Sequence, residues 1–580
     1  MELDAQPESK LLASVIDEKA KRTPETTFLR YAGPDWETAG YRSITWKQLA
    51  GAVNKAAYLL DELPGQTGRS QTVAYLGPND ARYFFLLVGA IKTGRRLLIP
   101  DGRVTVEGTW SLLDQTQCNV WITTSEQREK AKEFAAARPG LTIFTIPSLE
   151  HFLDNESTPH YPYAKTWAEA KDEIVFIIHT SGTTGHAKPI YLTNAYICTY
   201  QGWHYLAQKY KPRRITFQNM FGACMLTTCP PQWAAGLASL FLATYIDTVI
   251  VTLPTDMTFP LNVHKIVKII QTNRATGLAT PPSLIEDFSR DETAFAVLKS
   301  LDFVIYAGAQ LDKAVGDVLS QCTKLSPLIG STETGPQPSF ESTDVSAWNS
   351  FDFVPEVGAR FEPVSDDLYE LHLDRRPGSE RFQGAFTVFR ERDTIATREL
   401  YSPRVFRGDN NSNINNKHNT TRWVFRGRTD DLVKLSWLAK FRAADIEDAI
   451  ARHPRVRSVY TGGEGREVPF VIIELHHHNN DKEKDHRNGL FAAEQIALLD
   501  EIYDQAIAEV NARDVGEIRI PRETVVLADP ARPFPRTLKM TVIRKEVERC
   551  YAGEIEAMYR RWEERKTKNN VSDSGSEDCR

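Results

Sequence analysis

The sequence predicts an α/β protein with a large N-terminal domain of β-α units, closed by a small β region, and a small α+β C-terminal domain. Three observations carry this. The chain has 580 residues, whereas a single core stops growing at roughly 250–300 residues. Helical apolar periods alternate with short apolar runs up to about residue 340, which is the pattern of parallel β-α units. Beyond Phe340 the composition changes to alternating aromatic and polar residues, and from Asp430 a compact segment again reads β-α-β.

The elements follow in order. Helical periods cover Leu11 to Arg22, Thr45 to Leu60 and Ala81 to Thr93, interleaved with strands at Gln71 to Leu76 and Arg96 to Pro100. Ile174-Val175-Phe176-Ile177-Ile178 is an unbroken apolar run rich in β-branched residues, so it predicts a strand covered on both faces. A helix is expected from Ala195 to Gln208. The apolar stretch Gly236 to Pro254 is interrupted by Asp247 and predicts a buried helix followed by the strand Thr248 to Leu253, not a membrane span. Helix Val263 to Asn273 and strand Asp302 to Tyr306 come next, then a small antiparallel region over residues 350 to 425, with a polar insertion from Asp409 to Asn419. The last segment predicts strand Asp431 to Leu435, helix Ala444 to Arg452, strand Val468 to Leu475 and helix Ala492 to Arg513. Residues 563–580 are charged and Ser-rich, and disorder is expected there.

Composition excludes several classes. Hydrophobic content of 41% and charged content of 25% are those of a soluble globular protein, and a net charge of −6 argues against nucleic-acid binding. The seven cysteines are odd in number and form no C-x-x-C pair, which fits free thiols in a reducing, cytoplasmic setting. The first residues lack a basic segment followed by an apolar core, so no secretory signal is read. His476-His477-His478 point to alternate sides of an extended chain and cannot all bind one ion, so a solvated loop is expected.

Four motifs and one glycine turn carry chemistry. After the strand at Ile174, Thr180-Ser181-Gly182-Thr183-Thr184-Gly185 is followed by Lys188-Pro189. Glycines let the backbone approach a polyphosphate, the hydroxyls donate, and Lys188 adds one cationic donor. Pro189 excludes a Walker loop. Leu328-Ile329-Gly330-Ser331-Thr332-Glu333-Thr334-Gly335 sets a carboxylate on a hydroxyl-rich turn, suited to Mg²⁺ at Glu333 and to a phosphate oxygen at Thr332. Upstream, Ala307-Gly308-Ala309-Gln310-Leu311 is a strand-to-helix turn that needs glycine. Gly427-Arg428-Thr429-Asp430-Asp431 lies at the composition boundary, and Pro535-Arg536-Thr537-Leu538-Lys539-Met540-Thr541 lies near the C-terminus.

In this order the motifs resemble those of the adenylate-forming superfamily, the acyl-CoA synthetases, luciferases and peptide-synthetase adenylation domains. Lys188-Pro189-Ile190 and Thr193-Asn194 are closest to fungal peptide-synthetase-like adenylating reductases. The resemblance spans about Leu11 to Trp562 and implies the adenylate-forming enzyme fold, with domains at 1–428 and 429–562 and a hinge at Asp430. It implies ATP and Mg²⁺ as cofactors, with the phosphate loop Thr180 to Gly185 plus Lys188, the adenine turn Gly308-Ala309, and Gly330-Ser331 binding the nucleotide. Thr332, Glu333 and Lys539 are the implied catalytic residues, and Arg428 would contact the ribose and α-phosphate. Two carboxylates compete for the ribose: Asp409 resembles the generic T-G-D, and Glu399 in Thr397-Arg398-Glu399-Leu400-Tyr401-Ser402-Pro403 resembles the fungal form. Glu399 is preferred because six positions agree in type. The common ending would place the catalytic lysine at Thr541; the fungal variant places it at Lys539.

Pro230-Pro231-Gln232-Trp233-Ala234-Ala235-Gly236 resembles the family's acid-pocket wall, with Trp233 where relatives often carry His, and Gly236 and Gly308 beside it. No acidic residue lies between Asn219 and Tyr245, and a buried ammonium without a carboxylate is costly. The expected substrate is therefore a small carboxylic acid without an α-amino group. Leu438 stands where a glycine usually lets a pantetheine arm pass. Neither a carrier site nor a reductase sequence is seen, so any thiol acceptor, CoA or a carrier protein, is expected from outside. The departures Ala187, Trp233, Ile329, Leu438 and Met540 also admit a second reading, a catalytically impaired relative that binds nucleotide or acts as a scaffold.

Overall fold

The computed structural model describes residues 9–63, 71–102, 104–154, 158–180, 187–257, 261–365, 367–406, 420–429, 432–436, 440–476, 488–513, 518–536 and 542–574. The chain divides into two compact units, Met1–Thr397 with Tyr401–Phe425, and Arg398–Leu400 with Arg426–Arg580. Among the described residues no helix is long and apolar enough to cross a membrane.

Two sheets organise the first unit. One has seven strands in the order Lys324–Leu328, Phe303–Ala307, Gly277–Thr280, Cys224–Thr227, Val249–Val251, Thr27–Ala32 and Tyr41–Thr45. The other has six, in the order Thr142–Ile146, Val120–Thr124, Thr72–Tyr75, Arg96–Leu98, Ile174–Thr180 and Lys188–Thr193. Both are parallel except at one edge, where Tyr41–Thr45 and Lys188–Thr193 run antiparallel to their neighbours. The uninterrupted β-α pattern expected from the sequence is thus broken twice by hairpins. Strand Thr72–Tyr75 is buried throughout, as the reading of Gln71 to Leu76 as a strand expects, and Val120–Thr124 is buried throughout as well.

Two helices pack between the sheets. Arg82–Thr93 lies against Arg96–Leu98 and Ile174–Thr180, Ala234–Ile246 lies against Thr27–Ala32 and Val249–Val251, and the two helices touch each other. Every residue from Gly236 to Ile246 is buried, and a helix apolar all round belongs inside a core. It ends where Asp247 takes the left-handed conformation. The cations of the other helix are paired inside: Arg82 Nη2 donates to Asp80 at 2.7 Å, and Lys92 Nζ donates to Asp17 at 2.9 Å and Asn54 at 3.0 Å. Helix Trp46–Asp61 begins with a capping box, in which Thr45 Oγ1 accepts from the Gln48 N–H and Gln48 Oε1 accepts from the Thr45 N–H.

The single helix expected from Ala195 to Gln208 is instead Asn194–Cys198, a 3₁₀ turn at Thr199–Gln201, and Gly202–Lys209. Thr199 Oγ1 turns back onto the Tyr196 carbonyl at 2.8 Å, and a Cβ at Gly202 would lie 2.7 Å from the Arg381 carbonyl oxygen. Tertiary packing thus overrides helical periodicity.

A five-stranded sheet follows in the order Ser350–Phe351, Thr420–Arg428, Thr394–Phe406, Leu368–Asp374 and Ala359–Ser365. This is the small β region that the aromatic alternation predicts. In the second unit, Val456–Gly462, Phe470–Leu475 and Val525–Leu527 form a three-stranded sheet beside the hairpin Leu432–Lys434/Lys440–Arg442, with helix Ala443–Ala451 packed on Val456–Gly462. The final helix, Ala552–Ser574, corrects the expectation of disorder from residue 563, which is helical as far as Ser574. Its run of Arg, Lys and Glu consists of good helix formers. The six described cysteines are free.

Candidate active site

The carboxyl ends of two neighbouring strands in the first unit bring two sequence motifs together. Phe303–Ala307 runs into Gly308, and its neighbour Lys324–Leu328 runs into Gly330, with Ala307 paired to Leu328. The glycine turn and the Ser-Thr-Glu turn therefore leave the sheet side by side. Gly308 has φ +97° and a Cβ there would meet nothing within 4 Å, so its surroundings are open. Ala309 is exposed. Gln310 Nε2 donates to the Phe425 carbonyl at 3.2 Å and fixes the far end of the turn.

The second motif is a tight hairpin. Gly330 pairs with Pro336 and Ser331 with Gly335, leaving Thr332-Glu333-Thr334 at the tip. Thr334 Oγ1 accepts from the Ser331 N–H at 3.0 Å, and the Thr334 N–H donates to Ser331 Oγ at 3.2 Å. The hydroxyl of Ser331 is thus part of the turn's own frame, while Thr332 and Glu333 are half-buried at its tip. Gly330 has φ +152°, and a Cβ there would lie 2.2 Å from the Gly335 carbonyl oxygen. Gly330→Ala is expected to cost more stability than Gly308→Ala, on the order of 1–3 kcal/mol for backbone strain alone, because only at Gly330 does the Cβ also strike backbone. Urea denaturation of the two variants checks the order.

The phosphate-loop residues Ser181, Gly182, Thr183, Thr184 and Gly185 lie outside the described residues. Their flanks do not: Thr180 and Lys188 are paired in the antiparallel hairpin, with Lys188 exposed. A residue not singled out by any motif ties the other end of this hairpin, beyond Thr193, to the Glu333 tip. Tyr196, on the short helix after Lys188–Thr193, donates its hydroxyl to the Thr332 carbonyl at 3.1 Å. Burial pushes its phenol up, and the Glu333 carboxylate adds to the effect. No sequence signal marked it.

Trp233 caps the helix Ala234–Ile246, and its indole Nε1–H donates to Asp101 Oδ2 at 2.9 Å. The Asp101 N–H in turn donates to His179 Nε2 at 3.0 Å. Burial lowers the His179 pKa, with the nearby Asp101 charge opposing. Gly236 faces no open space: a Cβ would lie 2.0 Å from the Pro230 carbonyl oxygen. Its glycine is required by packing of the helix onto that turn.

In the second unit, Glu399 is 8% exposed on strand Thr394–Phe406, next to Arg398 at φ +62°. Its rival Asp409 lies outside the described residues. Arg428 is exposed at the end of Thr420–Arg428, after Gly427 at φ +114°. Asp430, Leu438 and Lys539 lie outside the described residues. The base of the segment bearing Lys539 is pinned: Arg536 bridges to Val542, the Ile543 N–H donates to the Pro535 carbonyl at 2.8 Å, and Glu474 accepts from the Phe534 N–H at 3.2 Å and pairs with Arg536.

Residues 16–359 match the AMP-binding enzyme family model, and residues 430–563 match the AMP-binding enzyme C-terminal domain. The carboxylic acid reductase of Neurospora crassa is 27% identical over 561 residues, covering 95% of this chain and 50% of the reductase. The adenylate-forming reductase Nps11 of Serpula lacrymans is 26% identical over 575 residues, covering 95% of this chain and 49% of that protein. The chain thus spans about half the length of these relatives. Among solved structures, the anthranilate CoA ligase AuaEII with anthranoyl-AMP has a TM-score of 0.67 at 16% identity, covering 95% of this chain and 99% of the ligase. McyG A-PCP with phenylalanyl-adenylate has a TM-score of 0.68 at 12% identity, covering 97% and 87% of the two chains. These neighbours share the mixed α/β fold with its large N-terminal and smaller C-terminal parts.

Proposed function

The chain belongs to the AMP-binding enzyme family, and from that premise we propose that it adenylates a carboxylic acid lacking an α-amino group, releasing pyrophosphate, with transfer to an external thiol as a second step. The observation that carries this reading is the side-by-side exit of the Gly308 turn and the Thr332-Glu333 tip from neighbouring strands, with Tyr196, which follows the strand beginning at Lys188, bonded to that tip.

In this reading an oxygen of the substrate carboxylate attacks the α-phosphorus of ATP, the bond to the bridging oxygen breaks, and pyrophosphate leaves with its electron pair. Thr180, the loop Ser181 to Gly185 and Lys188 grip the polyphosphate; Thr332 donates to a phosphate oxygen; Gly308 and Ala309 pass the backbone along the adenine. Glu399 accepts from the ribose hydroxyls, Arg428 contacts the ribose and α-phosphate, and Lys539 meets the charge that builds between two anions. Asp430 is the pivot of the small domain. No cluster of three His, Cys, Asp or Glu side chains suited to a metal occurs among the described residues. Glu333, half-buried at the tip beside Thr332, would offer one carboxylate to a Mg²⁺ ion that arrives on the polyphosphate. Held there, such an ion would supply charge neutralisation for the departing pyrophosphate.

The Asp101 carboxylate reaches the pocket wall from outside the segment Asn219 to Tyr245, but it receives the Trp233 indole. This supports an acid without an ammonium to hold. Acid-dependent pyrophosphate exchange tests the proposal: exchange is expected with one or more non-amino acids from a broad panel. Exchange with α-amino acids alone would refute the substrate class. Absence of exchange with every acid, together with no thermal shift on adding ATP, would sink the enzyme in favour of the scaffold.

A further inference from the structure

Asp101, His179 and Trp233 come from three separate places in the chain and meet at the carboxyl ends of both sheets. Asp101 follows Arg96–Leu98 and His179 lies at the end of Ile174–Thr180, both in the six-stranded sheet, while Trp233 follows Cys224–Thr227 of the seven-stranded sheet. The carboxyl edge of an open α/β sheet is where ligands bind. The Trp233–Asp101 hydrogen bond of 2.9 Å is therefore a strut between the two sheets at the mouth of the site.

Each member is constrained by the next. Asp101 is 3% exposed, and a buried carboxylate must be hydrogen-bonded, so its oxygen holds the indole in one orientation. Its N–H donates to His179 Nε2, which fixes the proton of the neutral ring on Nδ1. Among the described residues that Nδ1 is buried without a partner, so the imidazole is held from one side.

We propose that Asp101 is a specificity-determining residue: by locking the Trp233 indole it makes a rigid, flat wall that admits planar aromatic carboxylic acids and rejects bulky branched aliphatic ones. This rests on the adenylation reading above and names the substrate class for the same site. An indole free to turn would swing aside for a branched acid; a tethered one cannot.

The test compares kcat/KM for benzoate-type and branched aliphatic acids by pyrophosphate exchange in the wild type, D101A, D101N, W233F and the double variant D101A/W233F. A rigid wall predicts a planar-over-branched ratio of about tenfold or more in the wild type, within the 10–200-fold range of shape discrimination in apolar pockets. D101A and W233F should each compress it to roughly threefold or less, and the double variant should add nothing further, because both break one bond. D101N keeps an oxygen that accepts the indole N–H and should retain the ratio, with the KM for ATP unchanged in all variants. An unchanged ratio in D101A overturns the proposal while leaving adenylation standing, as does a change in D101A that W233F does not reproduce. Exchange with no acid in the wild type overturns both.

Discussion

Lys539→Ala is expected to lower acyl-AMP formation by about a hundredfold or more, roughly 3 kcal/mol of transition-state stabilisation, while ATP still binds. The reacting groups are two anions, and the charge that accumulates as they join must be met by a donor already in place. A surface lysine beside Arg536 would give no such loss. Two alignments compete for the position, and Thr541→Ala separates them: if the fungal form P-R-T-x-K holds, the Thr541 variant stays near wild-type activity while Lys539→Ala fails. Rapid-quench measurement of acyl-AMP, with equilibrium ATP binding alongside, decides both points. A scaffold with no adenylation chemistry would lose nothing in either variant.

How much of this was legible in the sequence depends on whether the signal was local. The helix Ala234–Ile246 and the strand Ile174–Thr180 declared themselves because burial on every side leaves an unbroken apolar run. Gly277–Thr280 and Cys224–Thr227 were missed: each has four residues, too few to establish a period, and Gly277 is there because the Phe303 ring occupies the place of its Cβ. The Thr332-Glu333 tip was legible as a motif, whereas its brace Tyr196 lies 136 residues away and is identified by the fold alone. The same holds for Asp101, which is 132 residues from Trp233 and lies in no motif, so a search for acidic residues near the pocket wall in sequence could not find it. Gly236 illustrates the opposite case, in which a motif position assigned to the pocket is required by packing against Pro230.

Arg536→Met is expected to destabilise the second unit by about 3–5 kcal/mol, because it removes one partner of a buried ion pair. The Glu474 side chain is 5% exposed and that of Arg536 is 14% exposed. Without the guanidinium, Glu474 keeps the Phe534 N–H at 3.2 Å and Arg457 at 3.7 Å. The loss should therefore sit at the low end of that range, about 3 kcal/mol, or roughly 6–12 °C in Tm for a unit of this size. Replacing both partners, in Arg536→Met with Glu474→Leu, leaves no orphaned charge and should recover part of the stability. The two lysine-segment experiments then read against each other. Lys539→Ala should slow the chemistry about a hundredfold or more at an unchanged Tm, since it removes a group whose proposed role is confined to the transition state. Arg536→Met should lower Tm and lose activity only as the unit unfolds, so that activity returns on cooling. If Arg536→Met instead melts like the wild type yet stays inactive at every temperature, the arginine contacts the reacting groups and the Glu474 pair is incidental to its role.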